Sequence, residues 1–484
     1  MWPAVEAFRG RLAAWGERPA LSDGQRRWSY RQLLAEVEER CGQLRAVRAA
    51  RLAIALDNGP EWLFWDLAAL FCGVVCVPLP GFFSPSQQRH VLDSAGVDTL
   101  VGAQPHAFVA LEFVARGALL QRAVAAPAAL PDGTAKITFT SGTTGQPKGV
   151  CLSAAAMLAV ADSLHQISAE CAVERHLCVL PLAVLLENLA GTYAPLLAGA
   201  CVYLPPQARV GMQGASRFAA QALFAELERL RPHSLILLPQ LLLALVTAVE
   251  QGAPLPDSLR FVAVGGGRVA PQLLERAEAL GLPVYEGYGL SECASVVCLN
   301  TPGARRIGSV GRPLGHVEVR LADDGEVLVR GATFLGYLGE PPMGDAWLAS
   351  GDLGHWDDGF LVLHGRKKHQ FVTAFGRNVN PEWVEAELVQ QAPIAQAWLY
   401  GEALAENLAV LVPRSATLGD AQLQEAVDAV NAGLPDYARV HRWLRAAQPF
   451  GEANGLATAN GRLRRAALVE HYRGAIETMA AALS

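Results

Sequence analysis

The chain has 484 residues, of which 51% are hydrophobic and 18% charged, with a formal net charge of −6. That length exceeds what one core organises, so about two to four domains are expected, and the composition excludes intrinsic disorder. No basic stripe offers a path for nucleic acid; the densest basic cluster, Arg462-Leu463-Arg464-Arg465, lies near the C-terminus.

The N-terminus, Met1-Trp2-Pro3-Ala4-Val5-Glu6, has no basic segment leading into an apolar core, so no signal peptide is read. Arg31 to Arg45 carries Leu33, Leu34, Val37, Cys41 and Leu44 at helical spacing, and Arg51 to Leu56 reads as a short buried strand. The long apolar run Trp62 to Pro80 is interrupted by Asp66, Gly73 and Pro78. A buried helix over Trp62–Cys72 and a strand over Val74–Leu79 are therefore expected rather than a membrane span. Nine cysteines cannot all pair, and no C-x-x-C occurs. Cys72 and Cys76 are spaced like core residues on one helical face. Reduced, buried thiols in a cytoplasmic protein are expected.

Thr138 to Val150 reads T-F-T-S-G-T-T-G-Q-P-K-G-V, after the apolar alternation of Ile137 and Phe139. Four hydroxyl residues (Thr140, Ser141, Thr143, Thr144), Gly142, Gly145, Gly149 and Lys148 crowd into this loop. Glycines that reach positive φ aim N–H groups inward, hydroxyls donate, and a lysine adds mobile charge, so the loop suits polyphosphate. A Walker A loop requires Gly directly before the Lys and Ser or Thr after it. Lys148 sits between Pro147 and Gly149, and Val150-Cys151-Leu152 reads as a strand, so that alternative fails.

Between residues 150 and 300, helical and strand-like segments keep alternating, which argues for parallel α/β layers. Pro205 to Gly214 reads as a loop, Leu235 to Val249 as a buried helix broken near Pro239, and Gly265-Gly266-Gly267 follows the strand Phe261 to Val264. Further on, Asp323-Asp324-Gly325 and Asp357-Asp358-Gly359 make hairpin turns. Gly365-Arg366-Lys367-Lys368 opens a smaller, more charged segment with a strand at Gln370–Thr373 and helices at Pro381–Gln391 and Asp420–Ala432. The expected fold class is α/β: a large domain of layered, mostly parallel sheets with helices and a small barrel-like β part over 1–366, and a small α+β domain over 367–484. No internal repeat or low-complexity tract occurs.

The loop from Thr140 to Gly149 resembles the phosphate-binding signature of the AMP-forming adenylating enzymes, the superfamily of acyl-CoA synthetases, non-ribosomal peptide adenylation domains and luciferases. Similarity extends from Leu21 to Arg465, and the wording around Phe371 to Asn378 and Asn454 to Leu456 is nearest to long-chain acyl-CoA synthetase-like members. The resemblance implies residue roles. Thr140, Ser141, Gly142, Thr143, Thr144, Gly145 and Lys148 would hold phosphate. Gly265, Gly266 and Gly267 would let adenine approach the backbone. Within Tyr285-Glu286-Gly287-Tyr288-Gly289-Leu290-Ser291-Glu292, Tyr288 would flank adenine, Ser291 would contact the α-phosphate and Glu292 would hold Mg²⁺, with Glu286, Gly287 and Gly289 lining the nucleotide. A carboxylate beside a small hydroxyl residue suits that hard cation. Asp352 in Ser350-Gly351-Asp352-Leu353-Gly354 would take both ribose hydroxyls, and Arg366 the ribose or α-phosphate. Lys368 stands at the hinge about which the C-terminal lid rotates between activating the acid and presenting Gly376 to Pro381 to a thiol.

Three positions depart from the family pattern. Arg462 occupies the place of the lysine that bridges carboxylate and phosphate; it keeps the charge, but its planar fork differs in shape. Ala154 stands where a His is common, and Ala183-Val184 where an aromatic or His is common, which implies an altered acyl or thiol channel. The resemblance implies ATP-dependent activation of an apolar carboxylic acid and transfer to a thiol, with ATP, Mg²⁺ and CoA required. A phosphopantetheine on a separate acyl or peptidyl carrier protein is the alternative acceptor. A nucleotide-binding homologue of weak or no activity is the alternative that Arg462 raises.

Overall fold

The computed structural model describes residues 2–102, 112–140, 147–213, 217–255, 257–344, 346–458 and 461–481. The loop positions Ser141, Gly142, Thr143, Thr144 and Gly145 lie outside them. Among the described residues, eight strands form one sheet in the order Gly336–Tyr337, Lys148–Ser153, Thr134–Thr140, Val75–Pro78, Arg51–Ile54, Thr99–Val101, Leu119–Gln121, Val114–Arg116. Its centre is parallel, and its two margins are antiparallel. A second sheet runs Arg312–Pro313, Cys298–Leu299, Val284–Tyr288, Phe261–Val264, Ser234–Leu237, Arg175–Leu177, Cys201–Tyr203, Pro19–Ser22, Arg27–Ser29, again with a parallel centre. Strands buried on both faces become near-continuous apolar runs, which is why Ser234–Leu237 has every residue buried.

Local chemistry sets the helix ends. Ser29 and Gln32 form a capping box for the helix Tyr30–Ala46. Pro60 opens the helix Pro60–Cys72, and Gly73, at φ 73°, ends it. That left-handed residue separates the two cysteines, in keeping with the expected helix over Trp62–Cys72 and strand over Val74–Leu79. Cys72 closes the helix, and Cys76 lies on the next strand, with its thiol 3.3 Å from Asp66. Leu235 to Val249 is not one broken helix. Ser234–Leu237 is a strand, and Pro239 is the first residue of the helix Pro239–Glu250; a short apolar run does not by itself distinguish the two.

Asp66 is fully buried, where a lone carboxylate would be costly. It is matched by Lys136 at 2.7 Å, the Tyr193 hydroxyl at 2.7 Å and the Asn188 amide at 2.9 Å. Lys136 belongs to the strand that ends at Thr140, so this network braces that strand.

Beyond residue 315, Val317–Leu321, Glu326–Gly331, Leu348–Asp357 and Phe360–Arg366 form an antiparallel sheet. This is the small curled β part. The C-terminal region packs the helices Pro381–Gln390 and Asp420–Gly433 on the sheet Ile394–Tyr400, Asn407–Pro413, Val440–Arg445, around Val384, Leu388, Leu411 and Val427. The strand expected at Gln370–Thr373 is reduced to Phe371–Val372, paired with Asn378–Val379. All nine cysteines are free thiols. Among the described residues, no helix is long and apolar enough to cross a membrane.

Candidate active site

A cleft of about 2560 Å³ opens between the sheet ends of the large region and the C-terminal region. Thr140 and Lys148 face each other across the antiparallel strand pair, where the described chain breaks off at 140 and resumes at 147. Both line the cleft, together with Gly266, Gly267, Glu286, Gly287, Tyr288, Gly289, Ser291, Glu292, Asp352, Arg366, Lys368 and Arg462. Gly265 is buried behind this wall, where an added Cβ would lie 3.1 Å from the Gly287 carbonyl. At Gly289 the backbone of Ser295 comes so close that a Cβ would sit 1.5 Å from its carbonyl oxygen, which admits glycine alone.

The acids are organised by neighbours. The Tyr288 hydroxyl donates to Asp352 Oδ2 at 2.6 Å, and Arg366 Nε lies 2.8 Å from Asp352 Oδ1. Arg366 also donates to the Ser350 carbonyl at 3.0 Å. Burial raises the Asp352 pKa, while Arg366 and Tyr288 oppose the rise. The Tyr288 phenol is pushed well above its usual range, first by burial and then by Asp352. Tyr288 thus presents its ring to the cleft with its hydroxyl already committed.

Glu292 accepts a 2.7 Å hydrogen bond from the Tyr337 hydroxyl, and Lys148 Nζ sits 5.0 Å from the centre of that same ring. Lys148 also pairs with Glu340 at 3.4 Å, both side chains being exposed. A carboxylate retains further lone pairs after accepting one bond, so Glu292 beside Ser291 fits a hard divalent cation. Glu286, buried on the strand Val284–Tyr288, has its pKa raised to about 8 by burial, against the opposing effects of Arg268 and the Val269 N–H.

From the C-terminal side, Arg462 enters the cleft; its N–H donates to Thr458 Oγ1 at 3.0 Å. Arg462 is exposed and lines the cleft. Desolvation and Arg366 lower its pKa, while Glu382, Glu292 and Asp352 oppose them. Ala459 and Asn460 of the same motif lie outside the described residues. Lys368 lies in the single turn Lys367–His369, at the cleft edge. Asn380 caps the following helix by accepting the Glu382 N–H at 3.1 Å, with Pro381 at its first position. Leu182 and Ala183 are packed into the core of the large region.

Several cleft residues were not foreseen from sequence. Tyr337 arrives because Gly336–Tyr337 pairs with Val150–Cys151 across a long separation, which no local pattern shows. Arg268, directly after the glycine turn, donates to the carbonyls of Leu363 and His364 at 3.1 and 3.2 Å. An arginine abutting three glycines was the available signal. Glu382 bonds His369 at 2.6 Å. Burial raises Glu382, but His369, Arg465 and Arg366 outweigh it and hold the carboxyl below its usual range.

Residues 8–338 match the family model "AMP-binding enzyme", and residues 368–484 match "AMP-binding enzyme C-terminal domain". The chain is 26% identical to long-chain-fatty-acid–CoA ligase 6 of Rattus norvegicus, over 88% of this chain and 78% of the relative. It is 29% identical to the indoleacetate–CoA ligase of Aromatoleum aromaticum, over 79% of this chain and 82% of the relative. Its fold is shared with an anthranilate CoA ligase solved with anthranoyl-AMP, with a TM-score of 0.79 at 19% identity, covering 97% of each chain. It is also shared with an o-succinylbenzoate CoA synthetase from Bacillus subtilis solved with AMP, with a TM-score of 0.73 at 23% identity, covering 95% of this chain and 96% of that one. The chain belongs to the AMP-binding enzyme family and is an AMP-forming acid–thiol ligase of the acyl-CoA synthetase type.

Proposed function

We propose that this protein condenses an apolar carboxylic acid with Mg·ATP to give acyl-AMP and pyrophosphate, then passes the acyl group to the thiol of CoA. The observation that carries this reading is the meeting of Lys148, Glu292, Asp352, Arg366 and Arg462 in one cleft. These residues come from segments more than 300 positions apart in the chain. The first step brings two anions together, so its barrier falls mainly through positioning and charge neutralisation.

In this reading Lys148 meets the β- and γ-phosphates as they leave, and Arg462 spans the incoming carboxylate and the α-phosphate. Asp352 accepts from the ribose hydroxyls, oriented by Tyr288 and Arg366. Glu292 would hold Mg²⁺, which supplies charge neutralisation at the phosphates when bound. The segment 367–484 acts as a lid turning about Lys368. Apolar substrate is supported by Met212, Phe218, Phe224, Leu238, Leu241 and Leu243, which are among the residues lining the cleft.

The test is a screen of aliphatic and aromatic acids read by pyrophosphate release, with mass detection of thioester on CoA and, in parallel, on a phosphopantetheinylated carrier. Pyrophosphate release followed by acyl-CoA supports the proposal. Thioester on the carrier alone reassigns the acceptor, and ATP binding without pyrophosphate from any acid leaves a non-catalytic homologue.

A further inference from the structure

We propose that Cys41 and Cys72 are a peroxide-responsive thiol pair that closes to an intramolecular disulfide, stapling the helix Tyr30–Ala46 to the helix Pro60–Cys72. This site lies in the large region's core layer and does not depend on the reaction proposed above.

The helices pack directly on one another, with Cys41 fully buried between them. The Cys41 thiol donates to the Ala68 carbonyl at 3.5 Å. A helical carbonyl points along the axis toward the residue four positions on, and for Ala68 that residue is Cys72. The Cys41 sulfur is therefore held beside the last turn of the second helix, the turn that carries Cys72. Cys72 is half-buried at the helix end, and Gly73 turns the chain away from it.

The two thiols are chemically unequal. Cys41 beside it holds the Cys72 thiol below its usual range; burial opposes this, and Arg45 and Arg9 add to the effect against Glu38. Cys41 is pushed up by its nearness to Cys72 and by burial. Cys76, Cys151, Cys171, Cys178, Cys201, Cys293 and Cys298 are all raised, chiefly by burial. Cys72 thus combines access with thiolate character, the pair of properties that selects a cysteine for oxidation.

In the first step the Cys72 thiolate attacks a peroxide oxygen. The S–O bond forms, the O–O bond breaks, and hydroxide leaves, giving a sulfenic acid. The Cys41 sulfur then attacks Cys72; the S–S bond forms, the S–O bond breaks, and the Cys41 proton leaves with the hydroxyl as water. Two thiol sulfurs are oxidised and one peroxide is reduced. The helix that is stapled carries Asp66, the anchor of Lys136, so the crosslink also steadies the strand leading to Thr140.

The experiment exposes the full chain to one molar equivalent of hydrogen peroxide, blocks residual thiols and maps peptides with and without dithiothreitol. The expected result is a dithiothreitol-sensitive Cys41–Cys72 peptide as the main product, with a higher melting temperature that reduction reverses. In Cys41→Ser, which keeps a polar donor at this position, dimedone should label Cys72 selectively; in Cys72→Ser, the crosslink should vanish while the reduced melting temperature stays near wild type. Crosslinks dominated by other cysteines, Cys72 driven to sulfinic acid without a crosslink, or unmodified thiols after treatment would each overturn the proposal. Cys72→Ser protects the test from a folding defect, since its site is not sealed in the core.

Discussion

Glu326 and Lys367 are joined at 2.9 Å through Oε2 and Nζ, while the other Glu326 oxygen accepts the Gly351 N–H at 3.0 Å. Lys367 also pairs with Asp324 at 2.5 Å. The residue preceding the proposed hinge is thereby tied to the curled β sheet, and one carboxylate connects it to the segment carrying Asp352. Lys368, one residue on, has no such side-chain anchor among the described residues, so the tie marks where the proposed rotation would begin.

Loss of that tie should unbalance the two half-reactions. Glu326→Gln keeps an acceptor for Gly351 but loses the charge facing Lys367, and Lys367→Met loses both acid partners. We expect both variants to change the ratio of adenylate to thioester formation while ATP affinity stays near wild type. Glu326→Ala should weaken ATP binding as well, because Gly351 loses its acceptor. Lys368→Pro restricts φ at the hinge and should affect the half-reactions unequally. Single-turnover assays of each half-reaction beside ATP calorimetry check this; equal losses in both steps for Lys368→Pro would count against a pivot there.

Lys148→Ala and Glu292→Ala should each lower adenylate formation about a hundredfold or more, since one lost charge-stabilising contact costs about 3 kcal/mol in a transition state. Their circular dichroism should remain that of wild type, because Lys148 is exposed and Glu292 is bonded only at the cleft edge. Pyrophosphate release at saturating ATP and Mg²⁺ is the measurement, and normal turnover in both would remove the phosphate-site assignment.

Arg462 lines the cleft together with Glu292, Asp352, Glu382 and Arg366. Arg462→Ala should therefore lose acid activation far more than transfer from preformed acyl-AMP, since only activation joins two anions. Arg462→Lys should retain the first step. Parallel assays with free acid and with synthetic acyl-AMP decide it; an alanine variant as active as wild type would make this a surface arginine.

Glu286 supplies a pH signature. Its folded pKa of about 8 lies above the ordinary 4.5. Between those values the folded chain keeps a proton that the unfolded chain has lost, so this residue's contribution to stability falls as pH rises through that window and then levels off. Glu286→Gln is neutral throughout. The melting temperature of the variant relative to wild type should rise from pH 5 to pH 8 and then flatten. A difference independent of pH would show that Glu286 is ionised in the folded state at neutral pH.

By itself the sequence determined the short-range features. The hairpin turns at Asp324-Gly325 and Asp358-Gly359, the Asn380-Pro381 helix start and the order of motifs all follow from backbone preferences within a few residues. Family membership was legible for the same reason, because motifs are local. What a buried apolar run becomes was not, as Leu235 to Val249 shows: helix and strand bury the same side chains, and only sheet neighbours choose between them. Asp66 read as an interruption of an apolar segment until the fold set Lys136, 70 positions away, against it. Tyr337 on Glu292, Tyr288 on Asp352, Lys367 on Glu326 and Arg462 in one cleft with both acids were likewise settled by tertiary structure. Each is a meeting of segments far apart in the chain, and whether two charged or hydroxyl groups meet depends on how the sheets stack, which no window of sequence contains.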